Sequence, residues 1–223
     1  MGAYRNAPIL LGRPLLEAAQ EYGYSDANLL ILAGDEGKLA QAFPSILADI
    51  QTCAHNADNR TPMAYAQDLV ASWVVEDWFL HLLAGAGCEA AAVGADRCRS
   101  ILPNCVVSSA SDFQVRCRGK TLRVEFLCDY TGFWRKTGRI DLRDSKYERL
   151  RKEQALVFGA DALWQRAILL DMSDDIPGIL RAPSYKPYGG KPAVRLPCQE
   201  EDFFPLTAKQ LSRRLAAISQ PAA

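Results

Sequence analysis

The sequence predicts a fold of the α/β (α+β) class, in which helices flank a mixed central sheet and an N-terminal helical extension precedes it. Three observations predict this class. Apolar residues recur at three- and four-residue steps before about residue 87, which is the period of a helix. A period-two pattern follows at 112–126, as in a pair of strands. Helical and strand-like stretches then alternate, which is typical of helices packed on a sheet.

The N-terminal third is predicted to be helical. Helical periodicity covers residues 14–22, 26–33 and 37–54, with breaks at Gly23, Gly34 and Pro44. Thr61 and Pro62 have the residue types of a helix start, and glycines at 85–87 stop the helix that follows. We expect residues 1–60 to form a helical subdomain and residues 61–223 to form the core with a C-terminal extension.

The remaining elements are assigned in chain order. Short strands are expected at 89–93 and 104–108, a hairpin from Asp112, a polar connection at 135–143, a helix at 145–158, a strand at 163–172, a Pro/Gly/Tyr-rich stretch at 176–192, a strand at 193–196 and a helix at 207–218.

The hairpin DFQVRCRGKTLRVEF carries the most specific chemical signal. If Arg118 and Gly119 form its two-residue turn, Asp112 lies directly opposite Glu125. Side chains in such a pair have Cβ atoms about 5 Å apart, and like charges there are destabilising. Two facing carboxylates therefore favour a compensating cation, and an oxygen-seeking ion such as Mg²⁺ fits best.

Composition and charge limit the classes of function. Half of the residues are apolar and no apolar run approaches the roughly 20 residues that span a bilayer. Seven cysteines without a CxxC pair are expected to be reduced thiols of a cytoplasmic protein. The segment 116–152 holds twelve Lys/Arg and five Asp/Glu although the whole chain has a net charge of zero. This basic segment suits a polyanionic substrate, although its helical part is equally consistent with an ordinary solvated face.

A third acid lies on the helix predicted at 62–86. Glu76 has Trp73 before it and Phe79 after it on an apolar stripe, where a carboxylate is costly unless it meets a charge or a metal. Taken alone, Glu76 is better explained as a structural acid that is either capped or paired with an arginine.

Together these residues resemble the PD-(D/E)xK nuclease superfamily, whose fold is restriction-endonuclease-like. The resemblance covers residues 70–172 and rests on the order of elements around a short, degenerate motif. Glu76 matches the family's helical acid, Asp112 in SSASDFQV matches the aspartate that begins the second core strand, and Glu125 in LRVEFL matches the acid of the third strand. A helix and a further strand follow, in DLRDSKYERL and ALWQRAILLDM.

Two positions depart from the family pattern. Ser111 replaces the usual proline, and Leu127 stands where the family has its lysine, which helps to activate the attacking water. Lys146 is the preferred replacement, ahead of Lys136 and Lys120. Asp129 is a candidate for an outer contact to the metal.

The resemblance implies Mg²⁺-dependent hydrolysis of DNA, with Mn²⁺ as a substitute ion. Asp112, Glu125 and the carbonyl of Phe126 would hold the metal, and Glu76 would orient a water. Phosphate contacts are expected from basic residues on the hairpin, the following loop and the later Pro/Gly/Tyr-rich segment: Arg116, Arg123, Arg135, Lys136, Lys186 and Lys191. Base contacts are expected from the 130–140 loop or from 181–195, although both segments also suit ordinary surface loops.

Three hypotheses follow from the sequence. The preferred one is a restriction endonuclease of Type II or a related defence nuclease, acting on double-stranded DNA as a homodimer and without a membrane. The second is a nuclease-fold module that binds nucleic acid or assembles complexes without catalysis, which Leu127 favours. The third is a helical-plus-β interaction protein in which the acids simply pair with nearby arginines, such as Asp112 with Arg123. The chain has two histidines and no phosphate-binding glycine loop, so histidine-based and nucleotide-loop chemistries are poorly supplied.

Overall fold

A computed structural model describes residues 4–52, 60–94, 98–101 and 111–218 of the chain. The chain divides into two compact units, one of residues 1–79 and 95–108 and the other of residues 80–94 and 109–223. The predicted boundary after residue 60 stays a prediction. The strand expected at 104–108 lies outside the described residues.

The first unit, here called the helical unit, is built from short helices. In chain order they are α1 (Ala7–Leu11), α2 (Leu15–Glu21), α3 (Asp26–Ala33), α4 (Glu36–Ala42), α5 (Pro44–Thr52) and α6 (Pro62–Gly85), whose last residues belong to the other unit. The predicted helices are confirmed, and Pro44 divides the 37–54 segment as expected. Thr61 caps α6, because its Oγ1 accepts a hydrogen bond of 3.1 Å from the Ala64 N–H.

The second unit, here called the sheet unit, contains two sheets. Its elements are β1 (Glu89–Ala92), β2 (Phe113–Cys117), β3 (Lys120–Asp129), α7 (Phe133–Thr137), β4 (Arg139–Arg143), α8 (Asp144–Glu153), β5 (Leu156–Asp161), β6 (Arg166–Asp171), β7 (Leu180–Ala182), β8 (Ala193–Pro197), β9 (Phe204–Pro205) and α9 (Ala208–Ile218). One sheet has the order β1-β2-β3-β5-β6-β9 and the other has the order β4-β8-β7. The larger sheet is mixed, since β3 and β5 are parallel while its other pairs are antiparallel. The predicted mixed α/β class is therefore confirmed.

The hairpin of β2 and β3 has the predicted register. Cys117 pairs with Lys120 and Phe113 pairs with Val124. Arg118 and Gly119 both have positive φ, at 51° and 79°, as a type I′ turn requires. The next pair outward along the two strands is Asp112 and Glu125.

Between β3 and β5 the sequence-based assignment was partly wrong. The predicted helix 145–158 ends at Glu153, and residues 156–161 form β5, which is buried at every position. A strand buried on both faces shows no period-two pattern, so its apolar run was not separable from the helix before it. The predicted polar connection 135–143 contains β4, and the predicted strand 163–172 begins only at Arg166.

The core of the sheet unit lies between the larger sheet, α8 and the smaller sheet. Tyr147 and Leu150 of α8 pack there with Val157 of β5 and Val194 of β8, and Leu127 packs against the cluster. Since parallel strands need a long crossover, α8 lies on the path from β3 to β5. The fold therefore brings the polar start of α8 next to the middle of β3.

Candidate functional site

The candidate site begins with the acid pair that the hairpin register creates. Asp112 Oδ2 accepts a hydrogen bond of 2.9 Å from the backbone N–H of Phe126. This contact fixes Asp112 against β3, directly beside Glu125. The structure thus brings together the three residues that were expected to hold a metal, namely Asp112, Glu125 and Phe126.

Glu125 is the buried centre of the site, with 1% of its surface exposed. The ammonium of Lys146, on the first turns of α8, forms an ion pair with Glu125 Oε1. The side chain of Lys146 keeps 35% exposure, so the pair reaches from the core to solvent. Lys120 and Lys136, the other two candidates for the missing lysine, are exposed side chains of the hairpin turn and of α7.

The electrostatics of Asp112 and Glu125 favour a proton that is shared between the two carboxyl groups. The pKa of Glu125 is raised to about 8, first by burial and then by the negative charge of Asp112, against the opposing effect of Lys146. A protonated Glu125 can donate a hydrogen bond to Asp112. Near neutral pH the two carboxyl groups therefore hold a proton that a bound cation would displace.

Arg149 is a further member of the site, and the sequence analysis missed it. Its Nη2 lies 3.9 Å from Glu125 Oε2 and its Nε lies 3.4 Å from Glu153 Oε1. All three of its guanidinium nitrogens are buried without a hydrogen-bond partner, as is Glu125 Oε2. Arg149 follows Lys146 by three residues, so both lie on the same face of the helix. This spacing is the sequence signal by which Arg149 could have been included in the site.

Such unpartnered groups are costly. A buried polar atom without a hydrogen bond loses about 1–3 kcal/mol, and a charged one loses more. Native proteins leave few of them, and those that remain often mark a catalytic role or the position of a water or an ion. In the polar cluster of Asp112, Glu125, Lys146 and Arg149, the Oε2 atom of Glu125 and the guanidinium of Arg149 have this character.

The oxygen atoms of the pair fit a hard divalent cation. Mg²⁺ is usually held by one or two carboxylates together with substrate oxygens and water, and Glu125 Oε2 is a buried oxygen that accepts no hydrogen bond. Within the described ranges, no three His, Cys, Asp or Glu residues gather as a metal site. A metal here would therefore depend on two carboxylates and on ligands from the substrate.

Glu76 lies in the helical unit and is paired there. Arg99 Nη1 is 2.5 Å from Glu76 Oε2, and Arg99 Nη2 is 2.7 Å from Asp77 Oδ1. This is the arginine-paired arrangement that the sequence offered as the alternative. The role of Glu76 in orienting a water stays a prediction, and this pairing does not favour it.

Asp129, the expected outer contact to the metal, is occupied by local hydrogen bonds, and its metal contact stays a prediction. Asp129 Oδ1 accepts hydrogen bonds from the N–H of Thr131 at 2.8 Å and from its hydroxyl at 2.9 Å, and Oδ2 accepts one from the N–H of Trp134 at 2.8 Å. The carboxylate is used to shape the turn into α7. Acidic residues are common in this local role because their short side chains reach nearby backbone N–H groups.

The residues expected to bind nucleic acid fall into three places. Arg116 is at the far end of the hairpin and pairs with Glu89 at 2.5 Å, whereas Arg123 is exposed two residues before Glu125. Arg135 lies on α7 with its guanidinium 4.8 Å from the ring centre of Trp164. Lys136, Lys186 and Lys191 are exposed. Arg123 alone in this group is on the strand that carries Glu125.

Two tyrosines of the 181–195 segment meet at Asp141 of β4, which follows the 130–140 loop. The hydroxyls of Tyr185 and Tyr188 both donate hydrogen bonds to Asp141, to its carboxylate and its carbonyl respectively. Burial raises the pKa of Tyr188 to about 12, and the hydrogen bond to Asp141 raises the pKa of Tyr185. Both tyrosines are therefore neutral hydrogen-bond donors across the physiological range.

The described cysteines are free thiols: Cys88, Cys98, Cys117, Cys128 and Cys198. Across the described ranges, no helix has the length and apolar character needed to cross a bilayer. In comparisons with known proteins, no protein-family model and no curated protein matched the chain.

Proposed function

We propose that the chain is a Mg²⁺-dependent endonuclease that hydrolyses phosphodiester bonds of DNA, of the kind used in restriction or defence. One observation carries the proposal: the carboxylate of Asp112, just before β2, and the ammonium of Lys146, on the crossover helix, both lie at the buried carboxyl group of Glu125 on β3. These are the residue types of the nuclease motif that the sequence resembles, with Lys146 in place of a lysine at position 127.

The order of elements supports the same proposal. A helix, three strands, a helix and a strand are the elements on which the resemblance rests, and α6, β1, β2, β3, α8 and β5 occur in this order. The strand assigned to the end of this series by sequence was β6, and β5 now takes that place. The insertion of α7 and β4 before α8 is a feature of this chain.

Asp112, Glu125 and the carbonyl of Phe126 would hold the metal in this proposal. A bound Mg²⁺ lowers the pKa of water and stabilises negative charge on the phosphate. Glu125 must lose its proton for such binding, because only the ionised carboxyl group is a good ligand for a hard cation. Lys146 lies against Glu125 and stabilises that ionised form.

Lys146 would then act on the substrate, and Arg149 would act through Glu125. The side chain of Lys146 is partly exposed, so its ammonium can orient the attacking water and offset charge that develops on the phosphate. Arg149 has a buried guanidinium, and its positive charge would favour the ionised form of Glu125 that a metal requires. Arg123, exposed on the same strand as Glu125, would hold a neighbouring phosphate.

Duplex cleavage needs two active sites, so we propose that the chain acts as a homodimer. A single site would nick one strand at a time.

The test is cleavage of supercoiled plasmid with Mg²⁺, Mn²⁺ or no metal, followed by sequencing of the ends. We expect metal-dependent cleavage that is lost in Asp112→Asn, Glu125→Gln and Lys146→Met. Glu89→Gln is the matched control, because Glu89 is an exposed acid of the same sheet. Cleavage that persists in Asp112→Asn would contradict the assignment.

A second candidate is favoured by the ion pair itself. Lys146 and Arg149 already compensate Glu125, so the cluster can be a structural feature of a module that binds nucleic acid without cutting it. DNA binding without cleavage under any metal would support this candidate. Absence of both binding and cleavage would contradict both.

A further inference from the structure

A cavity of about 320 Å³ opens at the carboxyl end of β3, in the sheet unit. Its lining includes Cys128 from β3, Phe133 from α7, Asp141 from β4, and Tyr185, Pro187 and Tyr188 from the loop between β7 and β8. Cavities of roughly 300–1,000 Å³ with apolar walls and few polar groups are the usual form of small-ligand sites. Aromatic rings form much of this wall, which favours a flat, unsaturated ligand.

The two tyrosine rings are held in place without a ligand. Tyr185 donates a hydrogen bond to Asp141 Oδ2, and Tyr188 donates one of 2.7 Å to the Asp141 carbonyl. The rings pack edge to face, with centres 5.4 Å apart and planes at 76°. A ligand that stacks here therefore meets rings that are already ordered, which reduces the entropy lost on binding.

The charges around the cavity select the class of ligand. Aromatic walls also bind methylated ammonium groups, but those sites attract a cation. Here Arg195 Nε donates to Asp141 Oδ1 at 2.8 Å, and Asp129 accepts three hydrogen bonds from Thr131 and Trp134. The carboxylate of Asp141 is thus compensated by Arg195, and the carboxylate of Asp129 is occupied by hydrogen bonds.

Positive charge, by contrast, surrounds the tyrosines. Arg195 lies 5.4 Å from the ring centre of Tyr185, and Arg143 lies 5.7 Å from that of Tyr188. Lys186 is exposed between the two tyrosines. A flat ring attached to an anionic backbone suits this setting better than a cation does.

The position of the cavity relates it to the acid pair. Cys128 follows Glu125 by three residues on β3, a separation of about 10 Å along a strand. Asp129, beside the cavity, is on the same face of the strand as Glu125. A nucleic acid with one phosphate at Glu125 would have nearby nucleotides at this cavity.

We propose that this cavity binds a single nucleobase, taken out of its stack and placed against Tyr185 and Tyr188. The proposal rests on the proposed action on nucleic acid, and it assigns base contact to one defined site. Proteins that take a base from the stack read it by stacking and by hydrogen bonds to its edge, and the Cys128 and Asp141 groups border the space that this edge would occupy.

The test compares two labelled single-stranded DNA oligonucleotides of 12 nucleotides. One carries bases at its central positions and the other carries abasic sugars there. The affinity of the protein for each strand is measured by fluorescence anisotropy in the presence of Ca²⁺. This ion is used in place of Mg²⁺ because it binds oxygen ligands without supporting the cleavage step. We expect the full protein to bind the base-bearing strand about 5- to 150-fold more tightly, the range that corresponds to one stacked base. Equal affinity for the two strands would overturn the proposal without any variant.

Variants locate the effect at the cavity. Tyr185→Leu and Tyr188→Leu remove a ring and should reduce the preference for bases while leaving affinity for the abasic strand unchanged. Tyr185→Phe keeps the ring and should retain most of the preference. A loss that is equal for both strands would mean a structural role and would contradict the proposal. Tight binding of a trimethyllysine peptide, in place of the strand, would also contradict it.

The result is separable from that of the proposed nuclease activity. If Asp112→Asn and the native protein both fail to cleave but prefer the base-bearing strand, catalysis is refuted and the cavity assignment stands. If cleavage occurs without a preference for bases, the cavity assignment is refuted and the nuclease stands.

Discussion

Each unit of the molecule contains a pair of acids beside arginine, and the two pairs differ in how well their polar atoms are satisfied. In the helical unit, Arg99 contacts Glu76 and Asp77 at 2.5 and 2.7 Å, and the Tyr24 hydroxyl donates a 2.5 Å hydrogen bond to Asp77. In the sheet unit, Arg149 is 3.9 Å from Glu125 and none of its nitrogens forms a hydrogen bond. The same residue types thus give one cluster whose arginine is hydrogen-bonded and one cluster whose arginine is not.

The difference shows that residue types alone do not determine whether an acidic cluster is neutralised by an arginine. Glu76 and Asp77 share one guanidinium, which matches two carboxylates with parallel hydrogen bonds. Asp112 and Glu125 face one another across a strand pair, where no guanidinium lies between them and a proton or a cation must relieve their repulsion. We therefore expect the first cluster to contribute to stability and the second to contribute to activity.

The largest expected effect is that of Asp112→Asn on cleavage. Loss of this carboxylate should reduce the cleavage rate about 10³-fold or more, since a metal ligand and its charge are removed. The midpoint of denaturant unfolding should stay the same or rise, because repulsion with Glu125 is removed. Plasmid cleavage and urea unfolding measure the two effects, with Glu89→Gln as the control. A large loss of stability in Asp112→Asn would place this pair with the structural cluster.

Arg149→Met is expected to have the next largest effect. If Arg149 keeps Glu125 ionised for the metal, cleavage should fall about 100-fold, with most of the loss in metal affinity. Lys152→Met is the matched control, because Lys152 is an exposed cation on the same helix. If Arg149 instead serves only to neutralise Glu125 and Glu153, its loss should lower stability by about 3–5 kcal/mol. Urea unfolding of both variants decides between these roles.

Arg99→Met should mainly change stability. Removing the guanidinium leaves two half-buried carboxylates facing each other, and we expect a loss of about 2 kcal/mol in the free energy of unfolding. Lys38→Met is the control, since Lys38 belongs to a surface pair with Asp35 and should cause little change. An Arg99→Met variant as stable as the native protein would contradict a structural role for this ion pair.

The smallest change, counted over one pH unit, is a pH dependence that arises at Glu125. Its pKa is about 8 in the folded chain against an ordinary value of 4.5, so the folded state binds more protons between these two pH values. Stability should therefore fall as pH rises through this window, by at most about 1.4 kcal/mol per pH unit. Affinity for Mn²⁺ should rise about tenfold per pH unit up to about pH 8, with release of one proton.

Calorimetry in buffers of different ionisation enthalpy measures the proton release. Glu125→Gln should abolish both the slope of stability and the release of the proton. Metal binding with no proton release near pH 7 would show that Glu125 is already ionised or is not a ligand.

Local signals were sufficient for the hairpin and its acid pair. The Arg118-Gly119 turn and the alternation of apolar residues fix the register, so the position of Asp112 opposite Glu125 follows from neighbouring residues. The helices of the N-terminal third were likewise predicted from periodicity and caps.

Elements that depend on tertiary burial were not predictable in this way. The strand β5 is buried on both faces and has no alternating pattern, so periodicity assigns its first three residues to the preceding helix. Arg149 contacts Glu125 only because α8 lies beside β3, and no local rule gives that contact. The use of Asp129 in the turn into α7 similarly depends on where the chain turns after the strand.

The position of Lys146 on α8 affects the order in which the contacts of the site form during folding. Asp112 and Glu125 are brought together by a local hairpin, whereas Lys146 arrives only after the chain has passed through α7 and β4 and returned to β3. Local contacts close before distant ones, because a longer loop costs more entropy. An early folding species should therefore contain the repelling carboxylates without their ammonium partner, and mild acid should speed the first stage of refolding relative to the last.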